Sequence, residues 1–152
     1  MLIRRAAQTD LSFIYDSLKN LAFEENISNR FSLTEEKLFK ALFSETAFAE
    51  VILVDLNAKS IGLLLFSLTN RNFDLFPSSG IYMHNLYIQP EFRKQGFAKA
   101  LLTKMKRIAR ERNCSRIDWV VLNDNVPAIN FYQTIEDAKV VDYLKYMRIA
   151  LD

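Results

Sequence analysis

The residues 87–98, Tyr-Ile-Gln-Pro-Glu-Phe-Arg-Lys-Gln-Gly-Phe-Ala, have the types and spacing of an anion-binding turn. An apolar stretch ends at Ile88, Pro90 marks a turn, and an amphipathic helix begins. The first turn of a helix leaves several amide N–H groups without partners. Those donors and the positive end of the helix dipole suit a phosphate. In Arg93-x-x-Gly96-x-Ala98, the small residues Gly96 and Ala98 keep side chains out of the way. A phosphorylated cofactor is therefore expected at this turn. Just upstream stands His84, the single histidine of the chain. An imidazole with an ordinary pKa near 6.5 can relay a proton near neutrality. It can equally be a packed strand residue, and the sequence leaves both roles open.

Hydrophobic period gives the elements that must carry these residues. Residues 2–5 read as a short strand. Thr9 or Asp10 can cap a helix to residue 24 that places Leu11, Ile14, Tyr15, Leu18 and Leu21 on one face. A polar loop, 25–32, precedes a second helix from Thr34 through residue 43. The β-rich runs 49–56 and 60–69 flank Asn57-Ala58-Lys59 as a hairpin. A loop, 70–79, leads to a strand over 81–89. The helix from about 95 to 112 turns Phe97, Leu101, Met105 and Ile108 inward. A strand follows at 116–122. Pro127 suits the first turn of a helix to about 134, and 140–141 and 143–150 read as short final strands. A strand–helix–strand unit around 95–112 implies a parallel pair with a right-handed crossover. The earlier strands, joined by short turns, should be antiparallel. The expectation is an α/β chain of one domain, 1–152, with a mixed, mostly antiparallel sheet and helices on both faces.

Composition narrows the function classes. The chain has 152 residues, half of them hydrophobic and a quarter charged, which suits one domain with a proper core. A net charge of +2 argues against an extended nucleic-acid surface. One cysteine, Cys114, leaves no intrachain disulfide. The apolar run 61–68 is too short to span a bilayer, and Met1-Leu2-Ile3-Arg4-Arg5 lacks the apolar core of a signal peptide. A cytoplasmic protein without membrane or nucleic-acid partners is expected. No metal-ligand spacing occurs, and one histidine builds no usual zinc site.

The element order, Arg93-x-x-Gly96-x-Ala98 and the later Asn125-Val126-Pro127-Ala128-Ile129-Asn130-Phe131-Tyr132 segment together resemble the GNAT superfamily of N-acetyltransferases. Within it the chain looks most like the spermidine/spermine (diamine) branch, through Leu33-Thr34-Glu35-Glu36, Ile61-Gly62-Leu63-Leu64-Leu65-Phe66 and Gly80-Ile81-Tyr82-Met83. The resemblance implies acetyl-CoA as co-substrate. Its pyrophosphate would lie on the amides of Arg93, Lys94, Gln95, Gly96, Phe97, Ala98 and Lys99. Its pantetheine arm would pair like a strand with Leu86, Tyr87 and Ile88, where two parallel strands splay apart. Asn125, Ala128, Asn130 and Tyr132 match further positions that meet coenzyme A, although Asn125 is also a natural helix cap. The resemblance also implies a homodimer.

Acetyl transfer to an amine needs a neutral amine, a stabilised oxyanion and a proton for the leaving thiolate. At pH 7 only about one amine in two thousand is neutral when its pKa is near 10.4, so deprotonation matters. By resemblance Tyr132 is the acid, and Glu25 with the His84 and Asn85 positions meets the acceptor; His84, an imidazole suited to relay a proton near neutrality, is the candidate base. Three departures stand out. Polyamine enzymes carry two acids where this chain has His84-Asn85, and this pair supplies no negative charge to attract a polycation. Glu136 replaces a glycine near a helix end, and Asp124 replaces a tryptophan. The expected reaction is acetylation of a primary amine on a small molecule (a polyamine, a diamine or a lysine-like amine) by direct attack in a ternary complex. A peptide N-acetyltransferase of the same fold and a non-catalytic acyl-CoA sensor are the rival readings.

Overall fold

A computed structural model describes residues 1–151. In chain order the elements are β1 Leu2–Arg5, α1 Leu11–Glu24, α2 Glu35–Phe43, β2 Ala49–Leu56, β3 Lys59–Thr69, β4 Gly80–Ile88, α3 Phe97–Glu111, β5 Ile117–Asp118 and α4 Val126–Gln133. They fall into two compact units, Met1–Val120 and the chain from Val121 onward. The first holds the sheet and α1 to α3; the second holds α4.

The sheet runs β1-β2-β3-β4-β5, antiparallel except for the parallel β4–β5 pair. β2 and β3 join through Asn57 and Ala58, both left-handed at φ 49° and 61°. Two positive φ values make the turn whose twist matches a hairpin. Period-two alternation then divides the core. Val51, Leu53, Leu63 and Tyr87 cluster with Ile14 and Leu18 of α1 and Leu38 of α2. Ile52, Val54, Leu64, Phe66, Ile81 and Met83 bury the opposite face. There α3 contributes Leu101, Met105 and Ile108, and the Arg112 guanidinium lies 5.9 Å from the Phe66 ring centre. Each such aliphatic side chain contributes about 1.5–3 kcal/mol of hydrophobic stabilisation. Helices therefore cover both faces, as the mixed period predicts.

A polar network fastens the β1 edge. Arg4 donates from Nε to Asp55 at 2.6 Å and from its two Nη atoms to Asp10 at 2.7 and 2.9 Å. Ser60 Oγ donates to the other Asp55 oxygen at 2.7 Å. Asp10 also accepts from the Ala7 N–H rather than capping α1 with its side chain. Thr34, by contrast, does cap α2, accepting from the Lys37 N–H.

Two strand expectations fail. The strand expected over 116–122 is only Ile117–Asp118. β4 carries an irregularity just past Tyr82, and a bulged strand bends away and ends its pairing. Residues 140–141 and 143–150 form no strand. They have the β pattern, but no described strand pairs with them, and a strand without a ladder partner leaves its backbone groups unsatisfied. No helix among the described residues is long and apolar enough to cross a membrane.

Candidate active site

The register of β4 explains how a strand can present two neighbouring residues to one place. Leu65 faces Asn85 while Phe66 faces Met83, so His84 is an extra residue in β4. Ser67 pairs with Tyr82. Cross-strand partners share a face, so Tyr82 and Asn85 lie on the face of Ser67 and Leu65. His84 joins them, because its Nε2 is 2.8 Å from Ser67 Oγ and its ring stands edge-on to Tyr82 at 4.9 Å. Strict alternation would send His84 and Asn85 to opposite sides. The bulge puts both on the α1 side of the sheet and still returns Tyr87 to the core. His84 is exposed overall, yet its imidazole is partly desolvated, and that burial pushes its pKa below the usual 6.5.

The same strand offers an open edge. β5 covers β4 only at Ile81 and Tyr82. Further along, the Gln89 N–H turns back to Ile61 O at 2.9 Å. Backbone groups alternate sides along a strand, so Tyr87 also points toward β3, while Leu86 and Ile88 point to the uncovered edge. Of the three residues expected to pair with a pantetheine arm, two therefore present their amide groups outward. Gly62 makes the other side close: a Cβ there would lie 2.6 Å from Tyr87 O and would overlap Ile88 Cδ1.

The turn after β4 leads into α3. Lys94 and Gly96 are left-handed, at φ 59° and 88°. Gly96 is the N-cap, no side chain caps the helix, and nothing lies within 4 Å of where a Gly96 side chain would start. Glycine is used here for its backbone conformation. The first intrahelical bond runs from the Ala100 N–H to Gly96 O, so the N–H groups of Phe97, Ala98 and Lys99 precede the ladder. No acidic residue occupies the first turn. Arg93 is already committed. Its Nε donates to Ile88 O at 2.8 Å, its Nη2 reaches both Glu24 carboxylate oxygens at 2.8 and 2.7 Å, and its own N–H meets Pro90 O. The guanidinium lies 5.6 Å from the Tyr87 ring centre. Arg93 is thus a brace between α1 and β4. It brings the end of α1, and with it Glu25, beside the turn. Burial, then the Glu24 charge, push the Tyr87 phenol above its usual 10.0.

Within the second unit α4 carries Asn125, Ala128, Asn130 and Tyr132. Asn125 takes its capping role, accepting from the Ala128 N–H at 3.3 Å. Asn130 is exposed and Tyr132 half-buried, with the Tyr132 ring 5.4 Å from that of Phe131. Where Glu136 replaces a glycine, the helix closes without any left-handed residue. Thr134 stays right-handed, its hydroxyl donates to Phe131 O at 2.6 Å, and the Ile135 N–H bonds Tyr132 O.

Sequence reasoning missed Ser67, Tyr82 and Glu24. Ser67 had a signal: it is the one hydroxyl within the apolar run 61–68. Among the described residues no cluster of three or more His, Cys, Asp or Glu is arranged for a metal.

The first unit thus combines a sheet with one short parallel pair, an open edge on β4 and an uncapped helix after it. The acetyltransferase (GNAT) family model matches residues 15–135; the chain belongs to this family and is an N-acetyltransferase. It is 26% identical over 140 residues to thialysine N-epsilon-acetyltransferase of Sus scrofa, spanning 89% of this chain and 82% of that protein. It is 28% identical to L-ornithine N5-acetyltransferase NATA1 of Arabidopsis thaliana, over 86% of this chain and 76% of that one. In fold it is similar to an aminoglycoside acetyltransferase from an uncultured soil metagenomic sample, solved in complex with sisomicin. That match has a TM-score of 0.79 and 18% identity, and it covers 99% of this chain and 96% of that one.

Proposed function

We propose that the protein transfers acetyl from acetyl-CoA to the side-chain amine of a small amino acid, of the ornithine or lysine type, in a ternary complex. The observation that carries this reading is the bulge that turns His84 and Asn85 together toward one face of β4. They lie beside an open strand edge that leads into uncapped helix amides.

Electrostatics favours a singly charged acceptor over a polycation. His84 and Asn85 carry no negative charge, and Asp118, opposite Tyr82 in the parallel ladder, is already held by Arg71 at 3.2 Å and Arg116 at 3.0 Å. A polyamine needs several carboxylates to offset its desolvation. An ornithine-like acceptor brings its own carboxylate and presents one reacting amine. The names of the relatives, thialysine and L-ornithine acetyltransferases, point the same way.

The residues divide the work. Leu86 and the Ile88 N–H offer the strand edge to the pantetheine arm, and Tyr87 holds that strand in the core. The turn of Lys94 and Gln95 opens onto the amides of Gly96, Phe97, Ala98 and Lys99, which receive the phosphates. By resemblance, Asn125, Ala128, Asn130 and Tyr132, at the start of α4 and along it, also meet the coenzyme. Glu25 and Asn85 orient the acceptor. His84 takes the amine proton, directly or through water, and Tyr132 gives its phenolic proton to the departing thiolate. Bound acetyl-CoA supplies the activated acetyl group.

The test is turnover of acetyl-CoA with L-ornithine, L-lysine, thialysine, a plain diamine, spermidine and a lysine-containing peptide. The amino acids should exceed spermidine in kcat/KM by about tenfold or more, on the scale of one well-placed interaction. Preference for spermidine or for the peptide would contradict the reading. We also propose a cytoplasmic homodimer. Val140, Tyr143, Tyr146, Met147 and Ile149 are all exposed, from 69% for Tyr146 to 87% for Met147 and Ile149, and so much apolar surface in one segment suits a partner. Sedimentation at micromolar concentration should give the dimer mass.

A further inference from the structure

His84 has one hydrogen-bonding partner among the described residues, the Ser67 hydroxyl at 2.8 Å from Nε2. Nothing in the family resemblance singles out Ser67. The geometry does. Ser67 pairs with Tyr82 across the β3–β4 ladder, and Tyr82 also meets the imidazole edge-on at 4.9 Å and 68°. The ring touches both a hydroxyl and an aromatic, at the one position where β4 carries an extra residue. A bulge re-aims the side chain it carries, and these contacts fix where the ring then points.

We propose that Ser67 is a positioning residue for His84, accepting a hydrogen bond from Nε2–H and so leaving the Nδ1 lone pair as the basic site. This rests on the reading of His84 as the base. The argument is one of charge states. A serine hydroxyl can rotate to donate or accept. A base must be held both before and after it gains a proton. If Ser67 accepts from Nε2–H, the bond survives in neutral imidazole and in imidazolium, because Nε2 carries a proton in both. If Ser67 donated to Nε2, the lone pair would be occupied by the orienting bond, and protonation would force the hydroxyl to turn. The first arrangement keeps the ring still through the proton transfer. In that step the amine N–H bond breaks, its electron pair stays on the amine nitrogen, and the proton bonds to Nδ1.

The chain has a single histidine, so a nitrogen-15 imidazole spectrum reports on His84 alone. At a pH where the ring is neutral, the wild type should show Nδ1 with the shift of an unprotonated nitrogen and Nε2 with that of a protonated one. Ser67→Ala should move both shifts toward a tautomer mixture, and Ser67→Thr, which keeps the hydroxyl on a strand-compatible side chain, should restore them. In kinetics Ser67→Ala should lower kcat about tenfold, the size of a lost orienting bond, with KM for acetyl-CoA unchanged, and Ser67→Thr should recover most of it. Protonated Nδ1 in the wild type, or a Ser67→Ala spectrum identical to it, would overturn the proposal. Failure of the underlying reading has its own mark: His84→Gln with full turnover removes His84 as the base, whatever the spectra say.

Discussion

Two polar regions of the first unit are built from similar side chains to opposite ends. At the β1 edge, Arg4, Asp10, Asp55 and Ser60 bond one another. The carboxylate side chains are only 14% and 11% exposed. Every strong donor and acceptor there has an internal answer. Along the outer edge of β4 the opposite holds. Leu86 and the Ile88 N–H face outward (the Ile88 carbonyl is taken by Arg93), Gly96 leaves α3 uncapped, and His84 and Asn85 share a face because the strand is irregular. A closed network fixes a fold, since burying its members unpaired would cost more than the pairing itself yields. Groups left open are available to a ligand. The difference teaches where to look for function here: in polar atoms the fold positions but does not consume.

Arg93 shows that the border between these regions is sharp. It belongs by sequence to the phosphate turn, yet its guanidinium closes onto Glu24 and Ile88, as Arg4 closes onto its carboxylates. The donors proposed for phosphate therefore begin further along, at Gly96 and the first turn of α3.

The largest expected effect belongs to the proposed acid, in the second unit. Tyr132→Phe removes one oxygen and should lower turnover by about two or more orders of magnitude, the usual scale of acid catalysis. Binding of acetyl-CoA and the unfolding midpoint should stay near wild type. Unchanged turnover in a steady-state assay would take Tyr132 out of the mechanism.

At the closed side the effect should be smaller and of another kind. Arg4→Met strands two nearly buried carboxylates and should cost about 2 kcal/mol in urea unfolding, discounted from a fully buried pair because Arg4 is one-third exposed. Activity per folded molecule should not change. Acid should sharpen the contrast. The Arg4 hydrogen bonds hold the Asp10 carboxyl below its usual 3.8. Its stabilisation is complete above that value and is lost as pH falls through the lower folded value. The melting temperature of Arg4→Met should therefore decline less steeply on the acid side. An equal decline in both proteins would show that Arg4 does not set the Asp10 pKa.

Much of this was legible in the residues, and the part that was not has a physical reason. Strands β1 and β2 fall where the short apolar runs and their turn residues put them, since those signals are local. The turn into α3 was legible because proline, glycine and the amphipathic run are consecutive. The bulge was not. A single extra residue in β4 is defined only against β3, and the alternation of one strand cannot reveal it. The same holds for the Ser67–His84 and Glu24–Arg93 contacts, which join residues 17 and 69 apart in the chain. β5 and the final segment fail for a related reason: a β pattern states what could pair, and the partner decides whether it does.

The most direct test of the central claim is calorimetric titration of acetyl-CoA into the wild type and into Gly96→Glu. A carboxylate at the mouth of α3 would face the phosphates, and a side chain at φ 88° would strain the cap. If the bare amides of α3 hold the pyrophosphate, affinity should fall by about tenfold or more in a variant that is still folded, as one repelled charge implies. Equal affinity in the two proteins would contradict the account.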